Sequence, residues 1–203
     1  INNAEFASYI KIVKTDAETG KVIPYSGAGF QIYDPDGNLI TMKYTYPEVT
    51  EIDTFYTNDE GYLITPEKLK YGKGYSLVEV QAPYGYVLNS EPVYFDVVQE
   101  QSGEENEISI IKVERPNMAQ KGKISVQKTG DIFTRVNKAT SAYTDENGNF
   151  IENPTTYTPV FEIGNLSGAV FQVIASEDII TADGTVRANA GDVVAEITTD
   201  ENG

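Results

Sequence analysis

Three features of the 203-residue sequence predict an all-β protein built from β-sandwich domains. Short runs rich in Val, Ile, Tyr and Phe alternate apolar with polar residues, and Gly, Pro, Asn and Asp punctuate them at short intervals. No window sustains an apolar i, i+3, i+4, i+7 pattern over three turns. Taken in order, strands are expected at 8–15, 28–33, 39–43, 53–57, 62–64, 75–80, 93–98 and 108–113. The first puts Ile10, Ile12 and Lys14 on one face. The second and third are separated by Asp34-Pro35-Asp36-Gly37-Asn38, which has the residue chemistry of a hairpin turn, as does Asn58-Asp59-Glu60-Gly61 between the fourth and fifth. In the sixth, Tyr75, Leu77 and Glu79 share a face. Seven or eight such strands make one sandwich.

An internal repeat divides the chain. "IKIVKTD" (10–16), "GAGFQIYD" (27–34) and "TNDEG" (57–61) return in the same order as "ISVQKTGD" (124–131), "GAVFQVIA" (168–175) and "TDENG" (199–203). Lys14 to Phe30 spans 16 positions whereas Lys128 to Phe171 spans 43, so the second copy carries an insertion of 27 residues. Its expected content is a polar hairpin around 145–149 and a Pro-bearing stretch at 153–160. The copies are read as residues 1–120, complete, and 121–203, the front part of a second domain that stops at the counterpart of Gly61.

Composition narrows the function. With 31 acidic against 15 basic residues the net charge is -16, which repels nucleic-acid phosphates and anionic lipid. No apolar run approaches the ~20 residues that span a bilayer. Zero His and zero Cys exclude Ser-His-Asp and Cys-His nucleophiles, disulfides and thiolate or imidazole metal sites. No metal and no cofactor is expected. The Asp34 turn has Gly in the wrong place for a calcium loop and reads as a hairpin. The acidic run 100–107 reads as a solvated loop, and most of the 14 tyrosines have strand positions that packing explains. Residues 1–16 hold no continuous apolar run of a signal peptide and 200–203 no hydrophobic tail, so the chain reads as a mature or excised piece of something longer.

Parity singles out three charged residues. Lys14 ends the apolar stripe of the first strand, Lys128 ends its counterpart (Ile124, Val126), and Glu79 points where Tyr75 and Leu77 point. A charge buried alone costs several kcal/mol, so such groups are paired, neutralised or led to water at the strand end.

The segments "IVKTDAETGK", "GAGFQIYDPDGN", "TNDEGYL" and above all "YSLVEVQAPYGYVL" (75–88) resemble the SpaA/CnaB-type immunoglobulin-like domains of Gram-positive surface adhesins and pilins. The last segment matches the family's E-box, YxLxExxAPxGY, at Tyr75, Leu77, Glu79, Ala82, Pro83, Gly85 and Tyr86. The resemblance implies two tandem Ig-like sandwiches, the second incomplete. It also implies an intramolecular isopeptide bond, in which Lys14 attacks the side-chain amide of an asparagine in the last strand with Glu79 assisting. Asn117 in "VERPNMAQKGKI" is the best-matched acceptor, although Pro116 interrupts strand regularity and Arg115 shares the nominal face of Ile111 and Val113. Asn106 is the rival. Burial disfavours the charged form of both partners, leaving a neutral amine as nucleophile and an acid to hydrogen-bond the amide oxygen and move the proton that releases ammonia. The event happens once per molecule and is not turnover. Lys128, with no E-box or acceptor after it in this chain, is expected to stay unlinked.

The leading expectation is therefore an extracellular, cell-wall or cell-surface stalk segment of an adhesin or pilus-like protein, with further repeats of the same protein as its partners. The alternative is a ligand-binding tip whose insertion, 136–166, meets a glycan or host matrix protein. A carboxylate-pair hydrolase has least support, because no second acid is placed against Glu79.

Overall fold

The computed structural model describes residues 5–105 and 108–203. Its strands in chain order are β1 (Ala7–Asp16), β2 (Gly29–Tyr33), β3 (Met42–Tyr44), β4 (Thr50–Ile52), β5 (Phe55–Tyr56), β6 (Tyr62–Ile64), β7 (Leu69–Lys70), β8 (Gly72–Gln81), β9 (Val93–Val97), β10 (Gly103–Glu105) and β11 (Ile108–Asn117). They continue as β12 (Thr129–Ala139), β13 (Ala142–Thr144), β14 (Phe150–Glu152), β15 (Thr156–Asn165), β16 (Val170–Ile174), β17 (Ile179–Ile180), β18 (Val186–Ala188) and β19 (Val193–Thr198). The one helical element among the described residues is a 3-10 turn, Gln99–Gln101. No described helix is long and apolar enough to cross a membrane. The chain forms two compact units, one of Ile1–Gly122 with Ile179–Arg187, the other of Lys123–Asp178 with Ala188–Gly203.

The first unit is a sandwich of two sheets. One runs β10-β11-β1-β6, with β7 also on β1, and the other runs β5-β2-β8-β9. Ile10, Ile12, Ile111 and Val113 from the first sheet meet Phe30, Ile32, Leu77 and Val97 from the second in one core, and Tyr75 stacks on Phe95 with ring centres 5.7 Å apart. β1 and β11 lie side by side and parallel, from Tyr9 opposite Ile110 to Asp16 opposite Asn117. Parallel neighbours need a crossover, and here nearly the whole unit is that crossover. The first and last strands therefore finish at the same end of the sandwich.

β11 runs four residues further than the pattern predicts, straight through Pro116. The nitrogen of Ala17 bonds to the carbonyl of Asn117, so the peptide groups of Pro116 turn to the other side of the strand. β10 pairs only with Ile108–Ile110 on that side and has already ended. No ladder bond with β10 is therefore lost at Pro116. β4, β7 and β10 are two- or three-residue strands that no alternation pattern reveals, and the expected strand at 39–43 shrinks to a bridge at Leu39 followed by β3.

The repeat in the sequence is a repeat in hydrogen bonding. Lys14 N bonds Gly61 O at 2.9 Å and Lys128 N bonds Gly203 O at 2.7 Å; Ile23 N bonds Lys14 O as Leu166 N bonds Lys128 O; Thr57 N bonds Ala28 O as Thr199 N bonds Ala169 O. The insertion is a long ribbon, β12 against β15, tipped by the β13–β14 hairpin, in which Asp145 Oδ1 accepts from Asn147 N and Asn149 N. The expected strand at 124–128 forms no ladder. In the first unit that position is flanked by β11 and β6, and among the described residues nothing equivalent flanks it here. Ile124, Phe133, Phe161, Ile163 and Val170 of this unit are accordingly more than half exposed. Amide exchange should be faster in residues 123–178 than in β1, β8 and β11, because slow exchange needs buried, doubly paired backbone. Equal protection measured in both units would show that the exposed apolar side chains do not reflect a looser fold.

Candidate functional site

The register that aligns β1 with β11 brings Lys14 and Asn117 together, and β8 carries Glu79 onto them from the opposite sheet, where it pairs across from Phe30. All three side chains are sealed, at 0%, 1% and 0% exposure for Lys14, Asn117 and Glu79. Lys14 Nζ donates to the Arg115 carbonyl at 2.6 Å and to Asn117 Oδ1, and stands 3.2 Å from Glu79 Oε1. Asn117 Nδ2 donates to Glu79 Oε2 at 2.7 Å and to the Val87 carbonyl at 2.9 Å. The N–H of Asn89 also donates to Glu79 Oε2, at 3.0 Å.

One detail departs from expectation. The Glu79 carboxyl meets the nitrogen of the Asn117 amide and not its oxygen. The Val87 carbonyl takes the second Nδ2 hydrogen, which turns the nitrogen toward the 87–89 loop and leaves the oxygen facing Lys14.

Burial pushes the Lys14 amine down to about 8; the Glu79 charge and hydrogen bond oppose that shift and the Arg115 charge adds to it. The amine is therefore half neutral near pH 8, well below the ordinary lysine range. An amine, an amide and a carboxyl that touches both of their nitrogens are thus sealed together, an arrangement that transamidation can use.

The rest of the E-box builds the wall of this pocket. Gly85 sits at φ 80°, where a side chain is strained, and allows the turn closed by Tyr86 N on the Pro83 carbonyl. Val87 N then bonds the Met118 carbonyl and Gln120 N bonds the Gly85 carbonyl, stitching the loop to the chain just beyond β11. Tyr86 Oη donates at 3.0 Å to Asp16 Oδ2, and Asp16 is fully buried opposite Asn117. Burial would raise Asp16, but the N–H groups of Glu18 and Thr19 and the Tyr86 hydroxyl outweigh it and hold the carboxyl below its ordinary value. Tyr86→Phe should lower stability by about 1–3 kcal/mol in denaturant unfolding, the typical loss when a buried charge gives up a hydrogen bond. An unchanged midpoint would show that the hydroxyl is dispensable.

Of the other residues singled out by sequence, Lys128 is exposed and lies one position before β12. Asn106 lies outside the described residues. Asp34 Oδ1 is occupied by the N–H groups of Asp36 and Asn38, the pattern of a turn, and no group of three or more metal-ligating acids occurs among the described residues. Sequence reasoning missed the Val87 carbonyl and the Asn89 N–H, which carry no side-chain signature. It counted Arg115 as an irregularity, although its parity with Ile111 and Val113 marked it as buried.

The model of the SpaA prealbumin-like fold domain matches residues 8–114, just over half of the chain. The chain belongs to this SpaA family. The matched segment runs from β1 into β11 and contains Lys14 and Glu79. Among curated proteins nothing matches significantly. Among solved structures the SpaA chain is similar to the Bacillus anthracis TIE protein, at 21% identity over 79% of this chain and 28% of that one, with a TM-score of 0.39. It is similar to the group B streptococcus pilus 2b backbone protein at 24% identity over 55% and 41%, TM-score 0.41, and to the full-length major pilin SpaD of Corynebacterium diphtheriae at 22% over 58% and 32%, TM-score 0.44. The chain thus spans less than half the length of each of these structures.

Proposed function

We propose that this SpaA chain is a load-bearing segment of a Gram-positive cell-surface protein of pilin or adhesin type, with Lys14 and Asn117 joined by an autocatalytic isopeptide bond. The observation that carries the reading is the sealed contact of Lys14, Glu79 and Asn117. In the reaction, Lys14 Nζ adds to Cγ of Asn117, the Cγ–Nδ2 bond breaks, and ammonia leaves. Glu79 Oε1 faces the attacking nitrogen and Oε2 the leaving one, so the carboxyl takes a proton from the first and hands one to the second, ending as it began. No cofactor enters and the event is a self-modification. The bond joins the first strand to the last, so tension along the chain bypasses the ladders between them. Residues 1–120 carry the linked pair. Residues 121–203 repeat the order of their first half, with Lys128 at the position of Lys14, and further repeats of the same protein are the natural partners.

Tandem mass spectrometry of a digest tests the assignment. A branched peptide joining the Lys14 and Asn117 segments is expected; linear peptides with free Lys14 overturn it, and a branch at Asn106 moves the acceptor. The rate carries a sign as well. The attacking form is the neutral amine, so crosslinking of newly folded chain should speed up as pH rises through about 8 and level off above. A rate that falls over that interval contradicts Lys14 as nucleophile.

The ribbon of the insertion supports a second reading, a ligand-binding tip. It exposes Phe133, Tyr157 and Phe161, with the two phenyl rings edge to face at 6.0 Å. Retention of the chain on a glycan or matrix-protein panel, lost on Phe161→Ser, would favour it.

A further inference from the structure

Arg115 is only 3% exposed, on the inward row of β11 that also holds Ile111, Val113 and Asn117. A guanidinium in an apolar sandwich is costly unless it is held and its charge is answered. One of its terminal nitrogens, Nη2, donates to the carbonyl of Asn89. The N–H of the same Asn89 donates to Glu79 Oε2. One residue's backbone thus ties the guanidinium to the carboxyl that faces Lys14 and Asn117. Arg115's own carbonyl fixes Lys14 Nζ from the other side, at 2.6 Å. The charges that face one another are the cations Lys14 on β1 and Arg115 on β11, the carboxyl Glu79 on β8, and Glu91 on the loop, which acts on Arg115. Glu91 is exposed, so inside the sandwich two cations face the one Glu79 carboxyl, and that crowding of positive charge is relieved when Lys14 gives up its proton. Arg115 is the cation that cannot do so.

We propose that Arg115 is a positioning residue of the crosslinking reaction, holding the Glu79 carboxyl against the Asn117 amide through the backbone of Asn89. The proposal rests on the Lys14–Asn117 reading and adds a second route, electrostatic and mechanical, by which the site is set. Arg115 itself neither gains nor loses a proton, and it makes and breaks no covalent bond.

The test uses the full chain synthesised in vitro directly into acid denaturant, so that it is collected before it folds and links, then refolded by dilution into buffers on both sides of the Lys14 pKa, with loss of ammonia followed by intact mass. The parent should react with a rate midpoint near 8. Arg115→Gln should react up to about 10²-fold more slowly, the scale of loss when a reacting group is misplaced by about an ångström, and its midpoint should move up because the neighbouring charge is gone. Arg115→Lys keeps the charge but not the reach to the Asn89 carbonyl, so it should keep the parent midpoint at a reduced rate. Parent rate and midpoint in Arg115→Gln overturn the role, and so does equal slowing of both variants with no shift in midpoint, which describes a merely structural residue. If near-ultraviolet tyrosine dichroism shows that Arg115→Gln does not fold, Arg115→Lys decides: parent rate in the folded Lys variant overturns the proposal. A parent chain that never loses ammonia sinks the crosslink reading and this role with it, whereas a reacting parent with indifferent variants sinks the role alone.

Discussion

The parent chain should weigh one ammonia less than its sequence, and Asn117→Ala should restore the full mass and unfold far more easily. A tie between positions 14 and 117 closes a loop of roughly 100 residues, and the loop-entropy model assigns such a closure on the order of 4.7 kcal/mol of stabilisation through the unfolded state. For a domain of this size that corresponds to a fall in Tm on the order of 15–20 °C. The variant should also migrate more slowly in denaturing electrophoresis, because the linked parent cannot extend fully. The stability loss alone would be ambiguous, since removing the amide also leaves Lys14 and Glu79 without their shared partner. Mass and mobility separate the two causes. Full sequence mass in the parent, or equal mobility of parent and variant, would leave the triad a buried polar network and nothing more.

Glu79→Gln should fold and stay unlinked. It nearly preserves the shape of the side chain and leaves an amide that can still bond Asn117 and the Asn89 N–H, but it cannot take a proton from Nζ and pass one to the departing nitrogen. General acid–base catalysis of this kind is worth roughly 10²–10⁴ in rate. A bond that forms within the parent's expression time should therefore be largely absent in the variant at the same age, with Lys14 open to amine-specific labelling after unfolding. Glu79→Ala should be unlinked as well and less stable, because it leaves Lys14 sealed without its anion. If Glu79→Gln links as completely and as fast as the parent, the carboxyl is a structural anion and proton transfer runs through some other group.

The outline of the protein was legible from residue order. Period-two alternation placed the long strands, because one face of each must be apolar to meet the other sheet, and that constraint is local. The same parity set Lys14 and Glu79 inward, where both are fully buried. The repeat was readable because each copy closes with the same Gly-ended turn and the same threonine, and those make matching backbone bonds.

Other features depended on partners distant in the chain. Pro116 was read as a strand breaker because a missing N–H is costly on average; β10 has ended before this position, so no ladder bond with β10 is lost. The apolar stripe at 124–128 forms no ladder, since a strand exists only where neighbours accept its hydrogen bonds and those neighbours are not encoded in the stripe itself. The orientation of the Asn117 amide was decided by the Val87 carbonyl, a backbone group that any residue at that position would present. Residue types alone thus determined the sandwich, the repeat and the two inward-facing charged groups. The meeting of Lys14, Glu79 and Asn117, with Arg115 behind them, was decided by the parallel register of β1 on β11, a pairing between residues some hundred positions apart that local pattern cannot specify.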